Sequence, residues 1–286
     1  YLFLRYAEYI AQHGSLFSID PLRYFPIGYD TTHLGTFTSY FTAYFYKFLH
    51  FFNPQVTIEY AYIIHPAVVF AIASIFVFLL VRRLFNYKVA LLATAFLGVA
   101  PAYLYRTMTP DHEALAMMFF FMALYFYIVA IQSASLKKGL FFGLLAGVTT
   151  GLMGITWAAV LMIFFILGAY SIIEVFLHKF SKKEYLIYLV WYFTSIIFLI
   201  SFGPFQLSSI TLSLAYLPSL FAVFFGGIYF ILKRWKHHEK IRSYMPLSVA
   251  SILVTGFIGV IVLLFVKGFS FFTELVHALY GILVLA

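Results

Sequence analysis

Residues 113–133 read Glu113-Ala-Leu-Ala-Met-Met-Phe-Phe-Phe-Met-Ala-Leu-Tyr-Phe-Tyr-Ile-Val-Ala-Ile-Gln-Ser133. This stretch has one charged residue, at its first position, and the length of about 20 residues that an α-helix needs to cross a bilayer. The rest of the sequence has the same character, because 64% of its 286 residues are hydrophobic and only 10% are charged. Soluble domains have about a quarter charged residues. We therefore expect an integral membrane protein.

Similar apolar runs lie on both sides of this stretch. They do not show the alternating ten-residue pattern of a transmembrane β-barrel. Counting runs of about 20 apolar residues predicts an all-α, polytopic membrane protein with about eight transmembrane helices. The predicted spans are Thr57–Val81, Val89–Tyr105, Glu113–Ser133, Gly139–Ile155, Ala158–Leu177, Tyr185–Ser201, Leu207–Leu232 and Leu247–Val266.

Composition divides the chain into three parts. Residues 1–56 mix charged and aromatic side chains, which predicts a long first outer loop with amphipathic helices at the membrane surface. Residues 57–266 form the helical bundle, and residues 267–286 begin a later outer loop. The chain opens on Tyr1 without an initiator Met and stops inside an apolar run, so we expect it to be a fragment of a longer protein.

The distribution of charge predicts the orientation in the membrane. Eight alternating spans sort the connecting loops into two sets, and 13 of the 18 Lys and Arg residues lie in one set. Basic loops stay in the cytoplasm, so this set, which includes the Lys233–Arg242 loop, is predicted to be cytoplasmic. The other set carries seven of the ten acidic residues and is predicted to face outside. The net charge of +8 thus reflects the orientation in the membrane. Membrane lipid is an expected partner, and no nucleic-acid partner is expected.

Several classes of chemistry are excluded by the sequence. The chain has no cysteine, so it has neither a disulfide framework nor thiolate metal ligands. It also has no Walker loop, no Gly-x-Gly-x-x-Gly element and no His-Glu-x-x-His pair. Chemistry is expected instead where acidic residues crowd together on the outer face.

That crowding occurs in the short turn Arg106-Thr-Met-Thr-Pro-Asp111-His112-Glu113 between two predicted spans. Carboxylate oxygens are suitable ligands for Mg²⁺ or Mn²⁺, and His112 can add a nitrogen for Mn²⁺. Residues i and i+2 point to different faces of a helix, so joint ligation by Asp111 and Glu113 requires the helix to begin after Asp111. The side chains of adjacent residues point in different directions in helix and strand alike. We therefore expect Asp111 and Glu113 to be the ligating pair and His112 to lie beside the site.

A structural interpretation of the same turn remains open. Thr109 can cap the N-terminus of a helix, and Pro110 fits its first turn. Asp111 and Glu113 would then stabilise the positive end of the helix dipole. At His65-Pro66, inside the first predicted span, we expect a kinked helix with a satisfied histidine rather than a ligand.

Four motifs, taken in order, resemble the catalytic subunit of oligosaccharyltransferase, in particular its archaeal single-subunit form. Tyr1-Leu-Phe-Leu-Arg5 resembles the aromatic run that follows an Asp-Pro pair in the first outer loop. Tyr24-Phe-Pro-Ile-Gly28 is similar to the Tyr-Pro-x-Gly turn of the same loop. Asp111-His-Glu113, preceded by Arg106-Thr107, resembles the second acidic motif, and Gly154-Ile-Thr-Trp157 resembles a turn that contains Trp.

The resemblance implies a GT-C-like glycosyltransferase of the membrane. Such an enzyme moves an oligosaccharide from a polyprenyl or dolichyl (pyro)phosphate carrier to the Asn of Asn-x-Ser/Thr sequences, so its partners are a lipid-linked donor and an acceptor polypeptide. Asp111 and Glu113 would be catalytic, and Asp111, Glu113 and His112 would bind Mg²⁺ or Mn²⁺. The residues implied in substrate binding are Arg5, Arg106, Tyr24 and Trp157.

The resemblance also implies elements that this stretch of sequence does not contain. The metal-binding Asp of the first motif would lie just before Tyr1. A Glu in a Thr- or Ser-rich motif would follow the eighth span, with Glu274, preceded by Thr273, as a weaker candidate. A soluble domain with a Trp-Trp-Asp motif would read the acceptor. The segment between Arg106 and Asp111 departs from the family pattern because it is shorter and contains Pro110.

Three alternatives stay open at this stage. A protein O-mannosyltransferase or another lipid-dependent GT-C enzyme also keeps acidic residues in a first outer loop. A secondary transporter would have many spans, with interrupted helices and polar groups near the midplane. A non-catalytic membrane scaffold would explain the apolar composition and would tolerate substitution of Asp111 and Glu113.

The orientation can be tested with single cysteines, because the chain has none of its own. We predict that Asp30→Cys reacts with a membrane-impermeant thiol reagent from outside the cell. Lys236→Cys is predicted to react only after the membrane is permeabilised. Labelling of both positions from the same side would contradict the predicted orientation.

Overall fold

The computed structural model describes residues 1–31, 35–177, 179–203, 216–235 and 238–267, and it consists mainly of α-helices. The predicted all-α fold is therefore confirmed. Predictions that fall on Glu274, on residues 268–286, on the start of the seventh predicted span at Leu207 and on Lys236 lie outside the described residues.

The helices follow one another with short connections. In chain order they are α1 (Leu2–His13), α2 (Phe37–Phe52), α3 (Ile58–Leu84), α4 (Tyr87–Val99), α5 (Pro101–Met108), α6 (His112–Gln132), α7 (Leu136–Thr156), a 3₁₀ turn (Ala158–Val160), α8 (Leu161–Phe176), α9 (Lys182–Phe202), α10 (Leu217–Arg234), α11 (His238–Tyr244) and α12 (Leu247–Lys267). Two short antiparallel strands, β1 (Ile19–Asp20) and β2 (Tyr29–Asp30), form a hairpin between α1 and α2.

The chain forms two compact units. The first comprises the described residues of Tyr1–Leu167 and of Lys183–Ser219, and it contains every residue of the candidate site described below. The second comprises Gly168–Lys182 and the described residues from Leu220 onward.

Six helical segments among the described residues are long and apolar enough to cross a membrane: α3, α6, α7, Ala158–Phe176, α9 and α10. A further helix, α12, is apolar over Leu247–Val262. Six of the eight predicted spans thus correspond to single long helices, and the eighth corresponds to α12.

The predicted span Val89–Tyr105 is not one straight helix. It consists of α4 and α5, which are bent by 65° relative to each other. Pro101 explains the break, because it has no N–H to donate and it disfavours helical geometry in the residue before it. Ala100 accordingly has an extended backbone, with φ −68° and ψ 114°. The prediction of a continuous span overlooked the effect of this proline.

Helix α2 in the first loop has an unusual distribution of side chains. Its buried residues are small, namely Thr38, Ser39, Thr42 and Ala43. Its exposed residues include large aromatics, namely Tyr44, Phe48, Phe51 and Phe52. A helix that presents aromatic rings outward and packs on small residues suits the membrane interface. Helix α2 packs on α1 and α3, so it holds the first loop against the bundle.

Glycines allow α7 and α9 to approach closely. They recur every fourth residue along α7, at Gly139, Gly143, Gly147 and Gly151. A Cβ atom at Gly147 would lie 2.6 Å from the Cβ of Thr194 and 2.9 Å from the carbonyl oxygen of Trp191. Small residues are a common means of bringing transmembrane helices into backbone contact.

We predict that Gly147→Ala lowers the melting temperature of the full-length protein in detergent, because overpacking of a tight contact costs about 1–3 kcal/mol. Gly98→Ala on α4 is the matched control, since a Cβ atom there has open space. This control should leave the melting temperature unchanged or raise it slightly, because Ala favours a helix more than Gly does. Equal melting temperatures for the two variants would contradict close packing at Gly147.

Candidate active site

The site is built on the start of α6. Asp111 has an extended backbone and is the N-cap of the helix, and its carboxylate accepts a hydrogen bond of 2.6 Å from the backbone N–H of His112. Thr109 does not cap α6, because its hydroxyl donates to the carbonyl of Arg106. The interpretation in which Thr109 is the cap and Pro110 lies in the first turn is therefore corrected. Pro110 favours an extended Thr109, which ends α5 and delays the start of α6.

This helix start brings two adjacent side chains together. Nδ1 of His112 contacts Oδ1 of Asp111. The predicted divergence of adjacent side chains holds for regular helix and strand, and it does not apply here because only His112 is helical. The ring of His112 packs near Phe3 of α1 at 5.8 Å and near Trp157 at 6.1 Å between ring centroids.

Glu113 lies in the first turn of α6 and forms an ion pair with Arg106. The distance from Nη1 of Arg106 to Oε1 of Glu113 is 2.9 Å. The guanidinium side chain is 68% exposed and the carboxylate side chain only 15% exposed, so the pair is covered on one side. The bend between α4 and α5 and the short connection to α6 place Arg106 at this end of the bundle.

Two cavities meet at this helix start, one on each side of the first residues of α1. The Asp111 cavity has a volume of about 690 Å³ and is lined by Tyr1, Leu2, Phe3, Leu4, Glu59, Tyr62, Ile63, Thr109, Pro110 and Asp111. The Trp157 cavity has a volume of about 350 Å³ and is lined by Leu2, Phe3, Tyr6, Gly35, Thr36, His112, Gly154, Thr156, Trp157 and Ala158. Asp111 and His112 therefore face different cavities, although their polar atoms are in contact.

The site includes residues that sequence analysis missed. Glu59 and Tyr62 of α3 and Phe3 of α1 line the Asp111 cavity. Glu59 and Tyr62 are three residues apart near the N-terminus of α3, which places them on one helix face. The spacing alone could have predicted that Glu59 and Tyr62 share a helix face. Only the packing of α3 against α6 shows that this face meets Asp111.

The first loop is anchored by Asp20, whose side chain is fully buried. It forms an ion pair with Arg5, accepts a hydrogen bond of 2.8 Å from the hydroxyl of Tyr6 and accepts one of 3.1 Å from the backbone N–H of Leu22. Burial by itself opposes ionisation of this carboxyl. The hydrogen bonds from Tyr6, Leu22 and Arg5 together outweigh burial and lower the pKa of Asp20 below its ordinary value.

The structure thus separates the residues implied in substrate binding. It places Arg106 and Trp157 at the start of α6. Arg5 is paired with Asp20 and lines a third cavity of about 470 Å³ together with Glu8. Tyr24 lies in the hairpin turn with φ 52° and is 69% exposed, and it lines neither the Asp111 cavity nor the Trp157 cavity.

The described residues do not form a complete metal site by themselves. Within residues 1–31, 35–177, 179–203, 216–235 and 238–267, no group of three or more His, Asp or Glu side chains converges on one point. Asp111 and His112 offer a carboxylate and an imidazole in contact at one helix start, so they fit part of a site for a divalent cation, whereas the Glu113 carboxylate is paired with Arg106.

Comparison with known proteins assigns the chain to a family. The family model described as the N-terminal part of the oligosaccharyl transferase STT3 matches residues 1–285. The chain belongs to the STT3 family of oligosaccharyl transferases. No curated protein sequence matches it. With its long apolar helices, this STT3 chain is an integral, multi-pass membrane protein.

Solved structures of archaeal oligosaccharyltransferase share the STT3 fold of this chain. AglB from Archaeoglobus fulgidus in complex with an inhibitory peptide and a dolichol-phosphate has a TM-score of 0.73 and 20% identity, over 96% of this chain and 34% of that chain. The apo form of the A. fulgidus oligosaccharyltransferase has a TM-score of 0.75 and 20% identity, over 97% and 34% of the two chains. The complex with Zn and sulfate has a TM-score of 0.72 and 20% identity, over 98% and 38%. The chain therefore spans about a third of the length of these relatives.

The lowered pKa of Asp20 predicts how the stability of the first loop depends on pH. A carboxyl with a lowered pKa in the folded state contributes stability above its unfolded pKa of about 3.9, and this contribution is lost as the pH falls through the folded pKa. We predict that Asp20→Asn lowers the melting temperature at pH 7. The gap to the native protein should narrow only below about pH 4.

Glu8→Gln is the control for this test, because it removes a carboxylate from α1 and leaves the bonds of Arg5, Tyr6 and Leu22 to Asp20 in place. It should have a much smaller effect at pH 7. A melting-temperature gap for Asp20→Asn that is constant from pH 7 to pH 3 would contradict an ionised Asp20.

Proposed function

We propose that this chain is the membrane part of an oligosaccharyltransferase that acts in N-glycosylation. It would transfer an oligosaccharide from a polyprenyl or dolichyl (pyro)phosphate carrier to the Asn of an Asn-x-Ser/Thr sequence. The observation that carries the proposal is the match of the STT3 family model to residues 1–285, together with Asp111 at a helix start that opens onto a cavity. Membership in this family favours an enzyme over a transporter or a scaffold.

The relatives support the proposed partners. The A. fulgidus structures contain an inhibitory peptide with a dolichol-phosphate in one case, and Zn with sulfate in another. We therefore propose that this chain acts on a lipid-linked donor and an acceptor peptide and uses a divalent metal. We propose Mg²⁺ or Mn²⁺ as the metal, because hard carboxylate oxygens dominate the donor set.

Asp111 and Glu113 are the proposed ligands from this chain, and Glu113 would exchange its ion pair with Arg106 for the cation. A cation bound there supplies positive charge to the oxygen of the leaving phosphate. Asp111 is extended and its side chain is 43% exposed, so its carboxylate, which His112 contacts through Oδ1, is accessible at the helix start. The family resemblance adds an Asp just before Tyr1, and Tyr1 lines the same cavity as Asp111.

His112 is proposed to orient Asp111 rather than to bind the metal directly. Its ring packs near Phe3 and Trp157 and lines the Trp157 cavity. Its Nδ1 contacts the Asp111 carboxylate, and an imidazole in that position restricts the directions in which the carboxylate can point.

The remaining polar groups can serve the substrates. Arg106 is largely exposed beside Glu113 and provides a fixed positive charge for a phosphate group. Glu59 lines the Asp111 cavity and can accept a hydrogen bond from the acceptor amide, whose nitrogen is a poor nucleophile. The aromatic ring of Trp157 offers an apolar wall for a substrate in the neighbouring cavity. We place this site on the extracytoplasmic face, from the distribution of basic residues.

Asp111→Ala in the full-length protein tests the proposal. We predict that transfer to a sequon peptide is abolished while the protein still folds, because a carboxylate that neutralises the leaving group through a cation is lost. Loss of an N-cap alone costs only about 0.5–2 kcal/mol of stability and would spare the chemistry. Full transfer activity in Asp111→Ala would refute the proposed role.

The roles of the next two residues predict different losses. Glu113→Gln should lower transfer much more than His112→Ala, measured with a lipid-linked donor and a sequon peptide at saturating Mn²⁺. The reason is that Glu113 supplies an anionic donor, whereas His112 acts through Asp111. If His112→Ala is inactive and Glu113→Gln is near normal, the metal ligands are Asp111 and His112, and Glu113 is a helix-dipole residue.

A further inference from the structure

Helix α3 contains a proline in its interior, Pro66, in the N-terminal third of the helix. In an α-helix the N–H of residue i donates to the carbonyl of residue i−4. Proline has no N–H, so Pro66 leaves the carbonyl of Tyr62 without its regular helical partner. An open carbonyl inside a membrane protein is costly unless another donor reaches it.

The side chain of His65 supplies that donor. Its Nδ1 lies 2.9 Å from the carbonyl oxygen of Tyr62. A carbonyl can only accept, so the proton must be on Nδ1, and the uncharged ring then carries a lone pair on Nε2. The ring is fully buried, edge-on to Phe41 of α2 at 6.0 Å between centroids. Among the described residues Nε2 has no hydrogen-bond partner, so Nδ1 makes the polar contact that fixes the ring.

The carbonyl that His65 binds belongs to a residue of the site. Tyr62 lines the Asp111 cavity together with Glu59, three residues before it on α3. Asp111 lines the same cavity on the side of α6. The turn from Glu59 to Tyr62 therefore forms the wall opposite the start of α6, and the His65 hydrogen bond lies directly behind it.

We propose that His65 is a positioning residue of the active site, which binds the carbonyl that Pro66 leaves open and so holds the Glu59–Tyr62 turn against Asp111. This inference rests on the proposed function of the Asp111 site. His65 touches neither substrate nor metal in this role, and it acts through the backbone of Tyr62. Without an N–H at Pro66, the backbone of the preceding turn is less restrained. The hydrogen bond from His65 to the Tyr62 carbonyl holds that turn in one conformation.

Three substitutions of His65 separate the role of Nδ1 from packing and from Nε2. Asparagine places an N–H donor near the position of Nδ1, glutamine places one near Nε2, and leucine fills space without a donor. In the full-length enzyme we expect His65→Leu and His65→Gln to lower kcat/KM for the lipid-linked donor about tenfold, which corresponds to about 1.4 kcal/mol. His65→Asn should recover most of this loss. An Asn variant as poor as the Leu variant, or a Leu variant equal to the native enzyme, would overturn the proposal.

Pro66 provides an independent test. Pro66→Ala restores a backbone N–H for the Tyr62 carbonyl, so His65 should no longer be needed. We expect the double variant His65→Leu, Pro66→Ala to have a kcat/KM within about twofold of Pro66→Ala alone, a difference of about 0.4 kcal/mol. If His65→Leu causes the same loss in the native protein and in the Pro66→Ala variant, the Tyr62 carbonyl is not the partner that matters, and the proposal fails.

Controls distinguish positioning from general destabilisation. His50 makes a similar contact, with its Nδ1 3.1 Å from the carbonyl of Val56, but it lies at the end of α2 away from the Asp111 cavity. His50→Leu should leave kcat/KM unchanged, and a loss equal to that of His65→Leu would count against the proposal. Melting temperatures of all variants should be measured beside the kinetics. A tenfold loss that is fully explained by unfolding at the assay temperature would overturn a positioning role.

The outcome can be separated from that of the proposed function. If Asp111→Ala is inactive while His65→Leu is fully active, the Asp111 site stands and only the role of His65 is refuted. If Asp111→Ala retains full transfer activity, the proposed function fails, and the positioning role fails with it.

Discussion

The hydrogen bond from the N–H of His112 to the carboxylate of Asp111 fixes where α6 begins, and the arrangement of the site depends on it. Because Asp111 stays outside the helix, its carboxylate remains accessible, while His112 and Glu113 leave the helix in different directions. His112 packs toward Phe3 and Trp157, and Glu113 pairs with Arg106. A helix that began two residues earlier would place Asp111 and Glu113 on different faces and would not open the Asp111 side chain to the cavity.

The first loop belongs to the site because buried polar contacts hold it there. Phe3 of α1 touches His112, and the first residues of α1 separate the two cavities. Helix α1 is in turn tied to the hairpin by Asp20, which binds Arg5 and Tyr6. The implied substrate role of Arg5 stays a prediction, and in this structure Arg5 serves the loop.

Much of the fold could be predicted from the sequence, because a transmembrane helix is defined by a local run of apolar residues. The acidic turn at 106–113 could also be found from the sequence, because its acidic residues and Arg106 are close together in the chain. Tyr62 and Glu59 could not be assigned to the site, because their relation to Asp111 depends on how α3 packs on α6. The bend at Ala100 and the late start of α6 depend on Pro101 and Pro110, whose backbone effects a count of apolar residues ignores.

The central claim is that Asp111 acts through its negative charge and not only as a helix cap. Asp111→Asn separates the two, because asparagine is as good an N-cap as aspartate but is uncharged. The decisive measurement is a titration of the full-length protein with Mn²⁺, followed by electron paramagnetic resonance, beside its melting temperature. The account predicts an unchanged melting temperature and a loss of tight Mn²⁺ binding in Asp111→Asn. Native Mn²⁺ binding in this variant would contradict it.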